Sequence, residues 1–165
     1  MLNFGPTNIN KLFLTDDKYK AMKKILTFSI LMILVMSCSQ DSVRNNNPYL
    51  PTYRFQSSAI NLNLPLYQNL LNAGNPIEYY EAGVGIQGKV FIMNTGGNVF
   101  IAFDAVCPNQ EISGCSTMDL VGIKAECPCD DAQYSLFTGQ SPEMQYPMLQ
   151  YRVEVLSSTS IRVYN

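Results

Sequence analysis

The 165-residue sequence contains no histidine. Without imidazole there is no histidine metal ligand, no histidine base and no Cys–His nucleophilic pair, which removes most common enzyme mechanisms. Charge is sparse: 15% of residues are charged, the balance is −2, and no basic run occurs, so nothing supports nucleic-acid binding. No apolar run reaches the roughly 20 residues that a membrane-spanning helix needs. A Cys-x-x-Cys pair is also missing, which counts against thioredoxin-like thiol chemistry at Cys127-Pro128-Cys129. Sustained helical periodicity, internal repeats and low-complexity blocks are absent.

What is present begins with an address. Met22-Lys23-Lys24 precedes the apolar run Ile25 to Met36, the charged and hydrophobic parts of a secretory signal. The run closes on Val35-Met36-Ser37-Cys38, which resembles a bacterial lipobox, where cleavage before the cysteine leaves a lipid-carrying thiol. An ordinary signal with an incidental cysteine is the plainer alternative; the small Ser37 at the end of the apolar run favours the lipobox. Residues 1–21 fit poorly ahead of such a signal and read as a spurious upstream leader, with 22–37 as the signal peptide. Cleavage there takes 37 residues with five Lys/Arg and two Asp/Glu from the chain, leaving 128 residues of net charge −5. The expected location is the bacterial cell envelope, lipid-anchored at the outer membrane. Residues 38–52, polar at Ser39 to Asn47, are expected to form a lipidated tether, and 53–165 the folded domain.

From Tyr53 the pattern is β. Phe55 to Leu64 alternates, with Pro65 as a stop. Tyr67 to Leu71 has the length of a helical turn, and Ile77 to Tyr80 reads as a short strand. Lys89 to Met93 and Val99 to Phe103 flank Asn94-Thr95-Gly96-Gly97-Asn98, a hairpin whose near-continuous apolar character predicts burial on both faces. Tyr151 to Val155 and Ser160 to Tyr164 alternate around Ser157-Ser158-Thr159, a second hairpin with one wet face. One small all-β domain, a barrel or sandwich, is predicted.

With Cys38 assigned to lipid, four cysteines remain: Cys107, Cys115, Cys127 and Cys129. Their residue chemistry alone leaves two readings open, thiolate ligands for a metal or two disulfides, the latter permitted in an oxidising compartment. The spacing suits zinc poorly, since structural zinc favours two Cys-x₂₋₄-Cys pairs. Asp104, Asp119, Glu126, Asp130 and Asp131 could form a cation site at one end of the domain or simply a solvated face. Six tyrosines (Tyr67, Tyr79, Tyr80, Tyr134, Tyr146, Tyr151) suggest either a binding surface or strand packing.

Taken together, Cys107-Pro108-Asn109, Gly114-Cys115, Cys127-Pro128-Cys129-Asp130-Asp131, Tyr134, Thr138-Gly139 and the Tyr146-Pro147 segment resemble the Rieske iron–sulfur domain family over Val84 to Tyr164. The resemblance implies a Rieske-like small antiparallel β-barrel or sandwich with an inserted two-loop cysteine subdomain. It places Cys107 and Cys127 at the two cysteine ligand positions of a [2Fe–2S] cluster. Asn109 and Asp130 then stand where the family has histidines, Asp131 where it has glycine, and Ala132 where a serine tunes the cluster. The same resemblance implies a bracing Cys115–Cys129 disulfide. It also brings Cys107 close to Cys127, so that without iron they would bond. Each disulfide closes a loop worth on the order of 3 kcal/mol in the chain-entropy account.

These readings imply a non-catalytic, disulfide-braced binding or structural module with no cofactor. Its partners would be the membrane, through the N-terminal lipid, and an envelope protein. The alternative is a [2Fe–2S] electron-transfer protein with atypical ligands in an oxidoreductase system.

Overall fold

A computed structural model describes Lys20, Lys23 and residues 46–165. The chain divides into two units, Met1–Ser42 and Val43–Asn165. Of the first, only Lys20 and Lys23, both helical, are described. The signal peptide and Cys38 lie outside the described residues. Among the described residues, no helix is long and apolar enough to cross a membrane.

Among its described residues the second unit is all-β apart from a 3₁₀ turn at Gln68–Leu71. Nine strands occur in chain order: β1 Ile60–Asn61, β2 Pro76–Tyr80, β3 Lys89–Gly96, β4 Val99–Asp104, β5 Asp119–Val121, β6 Lys124–Glu126, β7 Gln133–Ser135, β8 Gln150–Ser157 and β9 Ser160–Tyr164. They form an antiparallel six-stranded sheet in the order β1-β9-β8-β4-β3-β2, and a three-stranded sheet β5-β6-β7 inserted between β4 and β8. This is the predicted class, an antiparallel β fold carrying a cysteine-bearing insertion.

The β3–β4 hairpin explains its own sequence. Its two turn residues, Gly97 and Asn98, both have φ of 60°, the left-handed pair that a tight hairpin turn requires and that glycine and asparagine tolerate. Val90 and Ile92 of β3, with Ala102 of β4, face one core that also takes Ile60, Leu62, Leu149, Tyr151, Ile161 and Val163. Phe91, Met93 and Phe103, on the opposite faces, enter a second core with Met118, Ala125, Tyr134, Leu136, Met148, Cys107 and Cys127. Strands with apolar partners on both sides must read as continuous hydrophobic runs. Cys107 and Cys127 are therefore part of this second core.

The expected long strand over Phe55 to Leu64 is cut short. Only Ile60–Asn61 pairs as a strand, against Ser160–Ile161, with an isolated bridge at Gln56. Serine chemistry accounts for the break. Ser57 Oγ donates to the Ser58 carbonyl and accepts from the Val163 N–H, while the Ser58 N–H and hydroxyl both bond to Glu81. Side-chain bonds thus replace part of the ladder, a competition that serine enters readily.

The folded body also reaches back into the stretch read as tether. Asn47 and Leu50 are buried, and Asn47 Nδ2 donates to the Pro108 carbonyl at 2.6 Å. Tyr49 packs edge-on against Tyr146 with ring centroids 5.9 Å apart.

Candidate functional site

Three loops meet at one end of the small sheet. The first leaves β4 at Asp104 and runs from Cys107 to Thr117; the second is the turn from Cys127 to Ala132 between β6 and β7; the third runs from Gln140 to Leu149 into β8.

The first loop is anchored at its base. Cys107 N–H bonds to the Ser116 carbonyl at 2.8 Å and Met118 N–H to the Ala105 carbonyl at 2.7 Å, with Val106 bridged to Thr117. Inside the loop, buried Ser116 accepts from the Ser113 N–H at 2.8 Å and from Gln110 Nε2 at 3.3 Å. Below it, Asp104 is wholly buried and accepts from the Ile86 N–H at 2.6 Å, the Val106 N–H at 2.8 Å and the Tyr151 hydroxyl at 2.7 Å. Burial pushes its pKa above the usual carboxylate value despite those three donors. Across the sheets, buried Lys89 reaches Glu78 at 2.8 Å and the Met118 carbonyl at 2.7 Å. Desolvation pushes the Glu78 carboxyl up, but its bonds to Lys89 and Tyr80 outweigh this and leave it lowered.

The second loop is a tight turn made by its own backbone. Asp131 N–H and Asp130 N–H both point to the Cys127 carbonyl, and Cys127 N–H bonds to the Ala132 carbonyl at 2.9 Å. Asp131 has φ of 58°, the left-handed conformation that favours glycine and that aspartate tolerates through its short polar side chain. Asp130 Oδ1 accepts from the Ala132 N–H at 3.1 Å and otherwise faces solvent.

Two disulfides join the loops. Cys107 bonds to Cys127, 20 residues away with Cα atoms 5.6 Å apart. Cys115 bonds to Cys129, 14 residues away with Cα atoms 5.3 Å apart. The first bond is buried, with Cys107 1% and Cys127 0% exposed. The second is nearer the surface, with Cys115 exposed and Cys129 half-buried.

Asn109 joins the first loop to the third. Its Oδ1 accepts from the Tyr146 N–H at 2.8 Å. Its Nδ2 donates to the Tyr146 carbonyl at 2.8 Å and to the Tyr134 hydroxyl at 3.0 Å. Tyr134 is itself buried, which raises its hydroxyl above the ordinary tyrosine range. The amide is thus engaged at both ends.

A Rieske-type cluster takes two cysteines on one iron and two histidines on the other. The donor set here does not fit it: Cys107 and Cys127 are bonded to each other, Asn109 is occupied by Tyr134 and Tyr146, and Asp130 turns outward. The acidic cation site does not assemble either. Among the described residues the only gathering of three metal-binding groups is Cys107, Cys127 and Cys129, and Asp104 is held in the core by its own three donors. Of the six tyrosines, Tyr79, Tyr134 and Tyr151 are buried. Tyr67 and Tyr80 instead line a groove of about 360 Å³ with Leu66, Ile77, Glu78 and Leu120. Leu66 and Tyr80 are 70% and 61% exposed there.

No protein-family model matches the chain, and no curated protein matches it in sequence. Several solved structures are similar to it in shape. The ferredoxin of carbazole 1,9a-dioxygenase from Nocardioides aromaticivorans is 22% identical, covers 65% of this chain and 97% of its own, and superposes with a TM-score of 0.40. For the ferredoxin of Sphingomonas yanoikuyae the values are 18%, 57%, 88% and 0.38. A small subunit assigned to an NADH-dependent nitrite reductase of Mycobacterium tuberculosis gives 13%, 69%, 97% and 0.41.

Proposed function

We propose that this chain is a lipid-anchored cell-envelope protein whose Rieske-like domain is a disulfide-braced binding module and not an electron carrier. The observation that carries the reading is Asn109. At a position where the family resemblance expects an iron ligand, its amide is spent on the Tyr146 backbone and the Tyr134 hydroxyl. The residue fastens two loops together and so has a structural use that needs no metal. The paired cysteines act in the same sense, tying the first loop to the second. The groove beside Tyr80 and Leu66 supports a partner-binding role, because an aromatic and an aliphatic side chain stand exposed together around a concave surface. Lipidation at Cys38 would hold the domain at the membrane, at the outer membrane by the sequence pattern.

Anaerobic purification of the mature domain, followed by its visible spectrum and iron and sulfide analysis, tests this. A colourless protein without stoichiometric iron is expected. Visible absorbance with stoichiometric iron and sulfide, lost on Cys107→Ser, would overturn the reading in favour of electron transfer. Lipidation that persists in Cys38→Ala would remove the anchoring part alone.

A further inference from the structure

The sulfur atoms of Cys107, Cys127 and Cys129 all lie within 4.8 Å of one another, although they belong to two different disulfides. The fourth, Cys115, is bonded to Cys129. Three sulfurs therefore converge where the two loops meet, and the fourth lies one sulfur–sulfur bond beyond Cys129. Four thiolates around a tetrahedral zinc, each about 2.3 Å from the metal, are separated by roughly 3.8 Å. Cys107, Cys127 and Cys129, already within 4.8 Å of one another, need only small side-chain shifts to reach that spacing once the two sulfur–sulfur bonds are opened, and Cys115 completes the set by turning in from the surface. The backbone that holds the cysteines is fastened by other means: Asn109 to Tyr146, Cys107 to Ser116, and the Cys127 turn to Ala132. Ser113 Oγ lies 3.4 Å from Cys115 Sγ and 3.9 Å from Cys129 Sγ, a hydroxyl placed to donate to a thiolate.

We propose that the reduced domain binds one thiophilic d¹⁰ cation, zinc or copper(I), through Cys107, Cys127, Cys129 and Cys115, so that the two loops exchange disulfide bracing for metal bracing according to redox state. The soft all-sulfur donor set selects such metals over magnesium or calcium. The chemistry balances with a dithiol as reductant. Two dithiols each transfer two electrons and two protons, one to each disulfide, and close to their own disulfides, leaving four cysteine thiols. A divalent cation then displaces the thiol protons to buffer as it binds. Because three sulfurs converge and Cys115 stands at the surface, the three are the stronger ligands. This proposal rests on the cysteine pairing of the proposed function but not on the lipid anchor or on a binding partner.

The test uses the full mature domain, reduced anaerobically with a phosphine and titrated with cobalt(II) as a spectroscopic substitute for zinc. The expected result is one cobalt per chain, with the thiolate charge-transfer and intense ligand-field bands of a tetrahedral all-sulfur site. Zinc should displace it one for one by native mass spectrometry, releasing close to one proton per thiol. Oxidised domain should bind none. Cys127→Ser should abolish the spectrum, whereas Cys115→Ser should keep one cobalt per chain with weaker affinity. If reduction unfolds the domain, zinc should refold it, as read by circular dichroism. Reduced domain that takes up no stoichiometric cobalt, or that zinc fails to refold, overturns the proposal. So does equal binding by oxidised domain, or by Cys127→Ser. Assembly of a two-iron cluster on the reduced domain in preference to a single zinc would also overturn it. A protein coloured as first purified would instead fail the proposed function.

Discussion

Asn109 and Asp104 are both polar residues with several partners, and they are set to different tasks. Asn109 makes three hydrogen bonds from a half-buried position. Asn109→Ala is expected to destabilise the domain by about 3 kcal/mol, since each of the three net bonds contributes about 1 kcal/mol. Urea denaturation measures it, and the spectrum of the purified protein should not change. Asp104 offers a pH handle. Burial favours its neutral form, so the folded state keeps a proton that the unfolded chain loses between the ordinary carboxylate value and the raised folded one. Its contribution to stability is therefore greatest in acid and declines as pH rises through that window. Asp104→Asn should flatten this part of the stability profile. The same change should cost about 1–3 kcal/mol, because an amide NH₂ then faces a backbone donor. Neither role was legible in the sequence. Asn109 stands out as a replaced histidine, but its partners lie 25 and 37 residues further on. Asp104 reads as one more acid near the loops until the Ile86 and Tyr151 contacts are known.

Among the elements, length decided what could be read. The β3–β4 and β8–β9 hairpins carry enough residues for apolar runs or alternation to show. Strands β5, β6 and β7 have three residues each, too few for any period, and their sheet is visible only through pairing with one another. The first strand was over-read because alternation says nothing about serine side chains that capture backbone groups. Thr138-Gly139 stood out in the sequence only through the Rieske resemblance, and the structure shows why glycine is needed. Gly139 has φ of 71° and an added Cβ would lie 2.5 Å from the Phe103 ring. Gly139→Ala should therefore cost about 2–4 kcal/mol, combining a left-handed alanine with overpacking against a core aromatic. A lowered melting temperature is the readout, and Phe103→Leu in the same chain should recover part of the loss.

For the molecule as a whole, the order of the cysteines matters as much as their pairing. Cys107 pairs with the third and Cys115 with the fourth, so the two closed loops interlace. A backbone cut at any single place between Cys107 and Cys129 leaves the pieces joined by at least one of the two bonds. Lys124, exposed on β6 between Cys115 and Cys127, is a natural trypsin target, and cleavage there would leave both bonds spanning the gap. Limited trypsin treatment should accordingly give a product that gains one water yet migrates as one chain without reductant, and separates into two fragments with it. Release of a fragment without reductant after that cut would contradict the pairing. In an environment with proteases, such a domain can be nicked between its cysteines and still arrive as a single object.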